Sequence, residues 1–290
     1  MMKPPIVSGN RTAEDIIRAH LAEQQKVPAK PRPPAGRNQP PPPGVTPAVT
    51  SLSDYLQLDN ISCVDADGTE FERYDHLYVR KDIERNEDKK QKDFTSYAGV
   101  VYFEQQGLFL PSFALSCNII AALYQQLANS DIEKVLQQYK DHGRGYGWQA
   151  QNTVINYATG QVIHYPTKDD FAQRADVNIS RPRTALSFSK ATLQDNLLED
   201  VLGDPASARY VRQLTGLGDP SVLVEIGQYF QKPTKLWFSW NGRAGATFTE
   251  TRAAWLGCNQ DYFNLYSNNI LNITDAARGV HLGAPAGRAP

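Results

Sequence analysis

The sequence predicts an α+β domain of two or more helices with short antiparallel sheets, preceded by an extended proline-rich leader. Three observations lead there. Prolines concentrate ahead of residue 50. A capped helix pair occupies roughly residues 110–143. Aromatic and β-branched segments with turn signals lie on both sides of that pair.

The leader is residues 1–50 and the folded part is residues 51–290. Thr12 is placed to N-cap a short helix through Ala22, with Asp15 in a capping-box position and Ile16, Ile17 and Leu21 on its apolar side. The stretch KVPAKPRPPAGRNQPPPPGVTPAV follows. Proline removes backbone donors and fixes φ, so this stretch reads as extended, disordered and solvated. It is either a linker or a PxxP ligand for a protein partner.

From Ser51 onward, FERYDHLYV and SYAGVVYFEQ read as strands. The charged run between them, RKDIERNEDKKQKD, reads as a solvated loop. In LPSFALSCNIIAALYQQLAN the apolar residues Phe113, Ile119, Ile120, Leu123 and Leu127 fall near helical period. In SDIEKVLQQYKDHG, Ser130 and Glu133 form an S-x-x-E capping box, and Ile132, Val135, Leu136 and Tyr139 form one stripe. Gly143 stops this helix. Gly143, Gly145 and Gly147 read as a turn-forming loop, because they follow a helix rather than precede one. Thr159-Gly160 between alternating runs signals a hairpin. Residues 191–230 read as helical pieces broken at Gly203-Asp204-Pro205 and Gly218-Asp219-Pro220. From Leu236 the chain reads as short strands and loops.

Bulk properties narrow the function. The 290-residue chain carries 30 Lys and Arg against 31 Asp and Glu. That balance gives no electrostatic footprint for nucleic acid or an anionic membrane. No apolar run approaches the roughly 18 residues of a spanning helix, and the N-terminus has no signal-peptide core. The expectation is a cytoplasmic protein, or part of a virion if phage-encoded. Cys63, Cys117 and Cys258 are too few and too scattered for a disulfide framework or a zinc site. No metal and no cofactor is expected.

One catalytic arrangement is conceivable from residue order. Cys117 near a helix start, His164 on a hairpin strand and Asp169 after it follow the order of several cysteine hydrolases. The competing reading is a buried thiol and a locally hydrogen-bonded histidine. A structural module of a phage or multiprotein assembly is a third reading.

The C-terminal segment TRAAWLGCNQDYFNLYSNNILNITDAARGVHLG alternates two kinds of position. Trp255, Leu256, Phe263, Leu265, Ala277 and Val280 suit a core. Between them lie Asn259, Asp261, Tyr262, Asn264, Tyr266, Ser267, Asn268, Asn269 and Asn272, a composition typical of adaptable contact surfaces. Phe263 and Leu265 flank Asn264, so period-2 alternation turns Asn264 away from the core.

The series Leu236-Trp237, Glu250-Thr251-Arg252-Ala253-Ala254-Trp255-Leu256-Gly257, Phe263-x-Leu265 and Ala277-Arg278-Gly279-Val280 resembles the variable region of diversity-generating retroelement target proteins. LPSFALSCNIIAALY, QYKDHGRGYGWQAQNTVINY and VIHYPTKDDF also resemble the body of one branch of that family. The likeness spans most of residues 51–283, with the variable region at about 237–283, and leaves out the leader. His281 departs from the arginine the pattern has there, and Cys258 is an unusual display residue. The resemblance implies a C-type lectin-like fold. It also implies a gene whose 3′ end is rewritten by an adenine-mutating reverse transcriptase, so that Asn codons diversify without creating stops. The asparagines, tyrosines and serines of residues 258–274 would then bind an unknown, macromolecular ligand on a rigid backbone. The formylglycine-generating enzymes share that fold, but their chemistry needs paired cysteines or a metal site, and only Cys258 lies in this segment.

Overall fold

In a computed structural model the described residues are 48–85, 92–141, 143, 145–167, 169–171, 181–188, 196–237, 251–269 and 274–282. They all belong to one compact unit, residues 42–290. The helix at Thr12–Ala22 and the proline-rich stretch lie outside them. The first strand, β1, is Ala48–Ser51, so regular structure begins ahead of the Ser51 boundary.

β1 pairs antiparallel with β2 (Tyr55–Val64), and β2 with β3 (Glu70–Arg80). FERYDHLYV is thus a strand, as its β-branched and aromatic content predicts. SYAGVVYFEQ is not: it forms helix α1, Ser96–Glu104. Thr95 caps it by accepting the Ala98 N–H at 3.0 Å. Ser96, Gly99, Val100 and Phe103 are its buried residues, at helical spacing. The valine pair biases that segment toward strand, and the cap with the buried i, i+3, i+4 face overrides it.

Helix α2 is Phe113–Tyr124, with Ser112 as N-cap accepting the Leu115 N–H. Helix α3 is Ser130–Lys140, and Ile132, Val135, Leu136 and Tyr139 are all buried. The capping box is shifted by one position. Asn129, not Ser130, is the N-cap, and its side chain accepts the Asp131 N–H at 2.9 Å. The charged run after β3 is also less solvated than expected over its described part. Ile83 and Lys81 are buried, and the Lys81 ammonium pairs with Asp131 at 2.7 Å.

Strand β4 (Gln149–Asn156) and β5 (Gln161–His164) form the predicted hairpin, with Gly160 at φ 66° in the turn. Strand β6 (Thr184–Ser187) adds to β5. Then come the two-residue strand β7 (Asn196–Leu197) and helices α4 (Leu198–Leu202), α5 (Pro205–Thr215) and α6 (Val222–Tyr229). The two Gly-Asp-Pro breaks fall between these helices. At the first, Asp204 caps α5 by accepting the Ser207 N–H, and Pro205 fills the first turn, where its missing donor costs nothing.

Strands β8 (Thr234–Trp237), β9 (Thr251–Cys258), β10 (Phe263–Asn269) and β11 (Val280–His281) complete the chain. Among the described residues two sheets result: β1-β2-β3-β11 and β6-β5-β4-β9-β10-β8-β7. Among the described strands every pairing is antiparallel except β10 with β8. The main core joins β2, α2, α3, α5, α6 and one face of β9 and β10. The architecture is mixed α+β with antiparallel-rich sheets.

Gly216 ends α5 at φ 62°, and a Cβ there would sit 2.7 Å from the Ala114 Cβ of α2. Gly68 has φ 81° but nothing within 4 Å. Gly216→Ala is therefore expected to cost at least about 2 kcal/mol, combining left-handed strain with overpacking. Gly68→Ala is expected to cost only about 1 kcal/mol of backbone strain. Urea unfolding midpoints of the two variants check this difference.

Candidate functional site

The large sheet has two faces in its β8–β9–β10 region, and period-2 alternation sorts the residues between them. Leu236, Ala254, Leu256, Cys258, Phe263 and Leu265 enter the main core. Ala253 and Trp255 face the other way and form a separate cluster with Ala150, against which Trp148 and Tyr266 pack. On this second face the rings of Tyr262, Trp237, Tyr266 and Trp148 run in sequence. Their centroids are 6.2 Å apart from Tyr262 to Trp237, 6.1 Å from Trp237 to Tyr266 and 5.3 Å from Tyr266 to Trp148. All four are half-buried. Lys235, two residues before Trp237 on the same strand, holds its Nζ 3.9 Å from the Trp237 ring centroid and 4.8 Å from that of Tyr262.

The positions expected to display side chains divide. Asp261 is exposed, and Tyr262 and Tyr266 are half-buried on the aromatic face. Asn259 is half-buried and builds the β9–β10 turn. Its Oδ1 accepts the N–H groups of Asp261 at 2.9 Å and Tyr262 at 2.7 Å. Two expectations are corrected. Asn264 and Ser267 are fully buried and are not open contact residues. Asn264 does turn away from the main core, as alternation predicts, but this second face is itself covered there. The Asn264 carboxamide accepts the Trp237 indole N–H at 2.5 Å and donates to the Tyr262 carbonyl at 2.8 Å. Ser267 donates to the Trp237 carbonyl at 2.7 Å, and its own carbonyl accepts the Tyr157 hydroxyl. The side chains of Asn268 and Asn269, and all of Asn272, lie outside the described residues.

Trp237 and Lys235 were not among the expected contact residues. In TKLW both occupy the polar phase of the alternation, and that is the signal for them. Trp148, in GRGYGWQ, carries no such periodic mark. A backbone crossing places it. Gly257 has φ 146°, and a Cβ there would sit 2.0 Å from the Gly147 carbonyl oxygen. A Cβ on Gly147 would in turn sit 2.1 Å from the Tyr139 carbonyl oxygen. Only glycine admits this approach. Gly143 and Gly145 form a turn, as expected, donating their N–H groups to Asp141.

Behind the face, the Ala277-Arg278-Gly279-Val280 run is buried throughout. The Arg278 guanidinium donates to the Gln138 side chain at 2.7 Å and to the Arg80 carbonyl. Gly279 lies so close to Phe103 that a Cβ would meet its ring at 2.7 Å.

The Cys117–His164–Asp169 arrangement lacks an accessible, activated thiol. Cys117 is wholly buried, and burial pushes its thiol pKa well up. His164 is also wholly buried, with both ring nitrogens occupied. Nε2 donates to the Gln213 carbonyl at 2.9 Å, which fixes Nδ1 as an acceptor facing the Thr153 hydroxyl at 2.9 Å. The Thr153 oxygen in turn accepts the Phe113 N–H at the start of α2. This chain locks a neutral imidazole. Burial lowers its pKa to about 4, against a small upward pull from the Gln213 carbonyl. Asp169 is exposed, while the adjacent Asp170 forms a bidentate pair with Arg183 at 2.8 and 2.9 Å. Among the described residues no three His, Cys, Asp or Glu side chains gather as a metal-binding set.

Two outcomes follow. An unfolded chain protonates His164 near pH 6.5 while the native state resists until about pH 4. The native state therefore keeps its full stability above pH 6.5 and loses up to about 3 kcal/mol as pH falls to 4. His164→Gln is expected to flatten this part of a melting-temperature profile against pH. Iodoacetamide near neutral pH is expected to leave Cys117 unmodified until denaturant is added, with mass spectrometry as the readout.

Comparison with known proteins yields no match: no family model matches the chain, and neither does any curated protein or solved structure.

Proposed function

We propose that this protein is a ligand-binding display protein of the retroelement-diversified, C-type lectin-like class. It recognises a macromolecular ligand through the face formed by Lys235, Trp237, Asp261, Tyr262, Tyr266 and Trp148. The observation that carries the reading is the division along β8, β9 and β10. Residues of the fixed motif are interior, with Trp255, Phe263 and Leu265 all buried. Tyr262, Tyr266 and Asp261, from the expected variable set, reach solvent at least in part.

Such a division suits diversification. Exposed changes cost little, usually within about 0.5 kcal/mol, while buried aromatics supply the stability. The burial of Asn264 and Ser267 refines the reading. Substitution at these two positions acts on the face from beneath, through the orientation of Trp237, instead of by direct contact. Tyrosine and tryptophan are suited to the anchoring role, since they offer large rigid area at low entropic cost. The leader serves as a tether or docking handle to another protein. Its residues 1–47 lie outside those described. Among the described residues no helix is long and apolar enough to cross a membrane.

The cysteine hydrolase alternative finds no support in the site geometry, because a buried thiol and a locked neutral imidazole lack access to substrate.

The test is substitution tolerance. Asp261→Ser, Tyr262→Ser and Tyr266→Ser are expected to shift stability by no more than about 1 kcal/mol each, whereas Trp255→Ala and Phe263→Ala cost about 3–5 kcal/mol. Equilibrium denaturation decides it. Unfolding of the domain by Tyr262→Ser and Tyr266→Ser would remove the basis for display. An adenine-rich template repeat and a reverse transcriptase beside the gene are the matching genomic expectation.

A further inference from the structure

Resting on the reading of the aromatic face as a binding surface, we infer that its ligand is an acidic peptide segment. One carboxylate takes the Lys235 ammonium, and neighbouring side chains lie on Trp237, Tyr262 and Tyr266.

The state of Lys235 points to this chemistry. Its Nζ stands over the rings of Trp237 and Tyr262, and among the described residues it has no hydrogen-bond or ion-pair acceptor. Lys92 also stands over two rings, those of Phe94 and Tyr102, but away from the aromatic row, whereas Lys81 pairs with Asp131, Lys134 with Asp82, and Lys232 donates to the carbonyls of Asn259 and Gln260. A ring beneath an ammonium satisfies the charge from one side only and leaves N–H donors directed outward. Partial desolvation by the flanking rings strengthens any carboxylate that arrives there.

Ring spacing points to an extended peptide. Tyr262, Trp237 and Tyr266 follow one another at 6.2 and 6.1 Å. An extended chain advances about 3.3 Å per residue, so side chains on one of its edges recur about every 6.6 Å. Alternate residues of such a segment match successive rings.

The charge distribution disfavours a nucleic-acid strand, which also stacks on aromatic rings. A phosphate backbone needs a track of cations. Here, among the described residues, one unpaired ammonium, that of Lys235, stands at the Trp237 and Tyr262 rings, enough for a single carboxylate but not for a phosphate track. Lys232, across the β9–β10 turn, is already engaged by backbone carbonyls.

The experiment titrates the full chain against fluorescein-labelled short peptides of Tyr, Leu and Ser with Glu at every fourth position, so that Glu and its i±2 neighbours share one edge. Anisotropy is the readout, with the matching Gln and Lys peptides and an oligothymidylate alongside. The expected result is saturable binding of at least one Glu peptide, weakened by salt and lost in its Gln counterpart. Lys235→Glu and Trp237→Ala are expected to weaken it by about tenfold or more, and Lys235→Arg to retain it. Melting curves of each variant show that the loss is not unfolding.

The inference is overturned if no Glu peptide binds, if Lys235→Glu binds as well as the parent, or if the Lys peptide or oligothymidylate binds more tightly. Binding of a Gln or Lys peptide that depends on Trp237 overturns the acidic preference while leaving display intact. Loss of display is read separately, from the substitution tolerance at 261, 262 and 266.

Discussion

The burial of one helix on nearly all sides organises the domain. In α2, Phe113, Ala114, Leu115, Ser116, Cys117, Ile119, Ile120, Ala121, Ala122 and Leu123 are all buried. A helix with apolar residues around its circumference has no solvent side to favour, so it must be enclosed. The core that encloses it draws on β2 of the smaller sheet, on β9 and β10 of the larger one, and on α3, α5 and α6. Small residues let neighbours approach. Ala114 receives the end of α5 at Gly216. Polar contacts then fix its position along the axis. The Phe113 N–H reaches Thr153, and Asn118 donates to the carbonyls of Ala114, Thr215 and Gly216. The reverse side of β9 and β10 carries the aromatic row, so the face inherits the rigidity of the enclosed helix.

Much of this was legible in the residues. Segments whose signal is local and redundant gave the right element: the α3 stripe, the Thr159-Gly160 hairpin, and the two Gly-Asp-Pro breaks; α3 itself stops at Lys140 with Asp141 as C-cap, ahead of the expected Gly143. Where two local signals conflicted, tertiary packing decided. SYAGVVYFEQ carries β-branched residues and a helical face together, and burial against Phe94 and Leu110 selects the helix. At the start of α3 both Asn129 and Ser130 are good caps, and the stronger Asx geometry one residue earlier prevails.

The candidate site was legible in part. Alternation correctly separated Phe263 and Leu265 from Asn264. It could not reveal that the second face is covered at Asn264, since a polar residue on a covered spot looks the same in sequence as one in solvent. Asn264 is retained there because both ends of its carboxamide find partners. Trp148 reaches the face only through the Gly147–Gly257 crossing. That contact joins distant parts of the chain, and no window of sequence contains it.

The position of β11 has a consequence for synthesis. Val280 and His281 pair with Val79 and Tyr78, and Arg278 holds the Arg80 carbonyl. An early strand therefore waits for nearly the last described residues before its edge is closed. Contacts so distant in sequence form late, only once residues 277–281 have been made. A chain that lacks the Ala277–Val280 staple leaves the β3 edge and Phe103 uncovered and open to proteolysis.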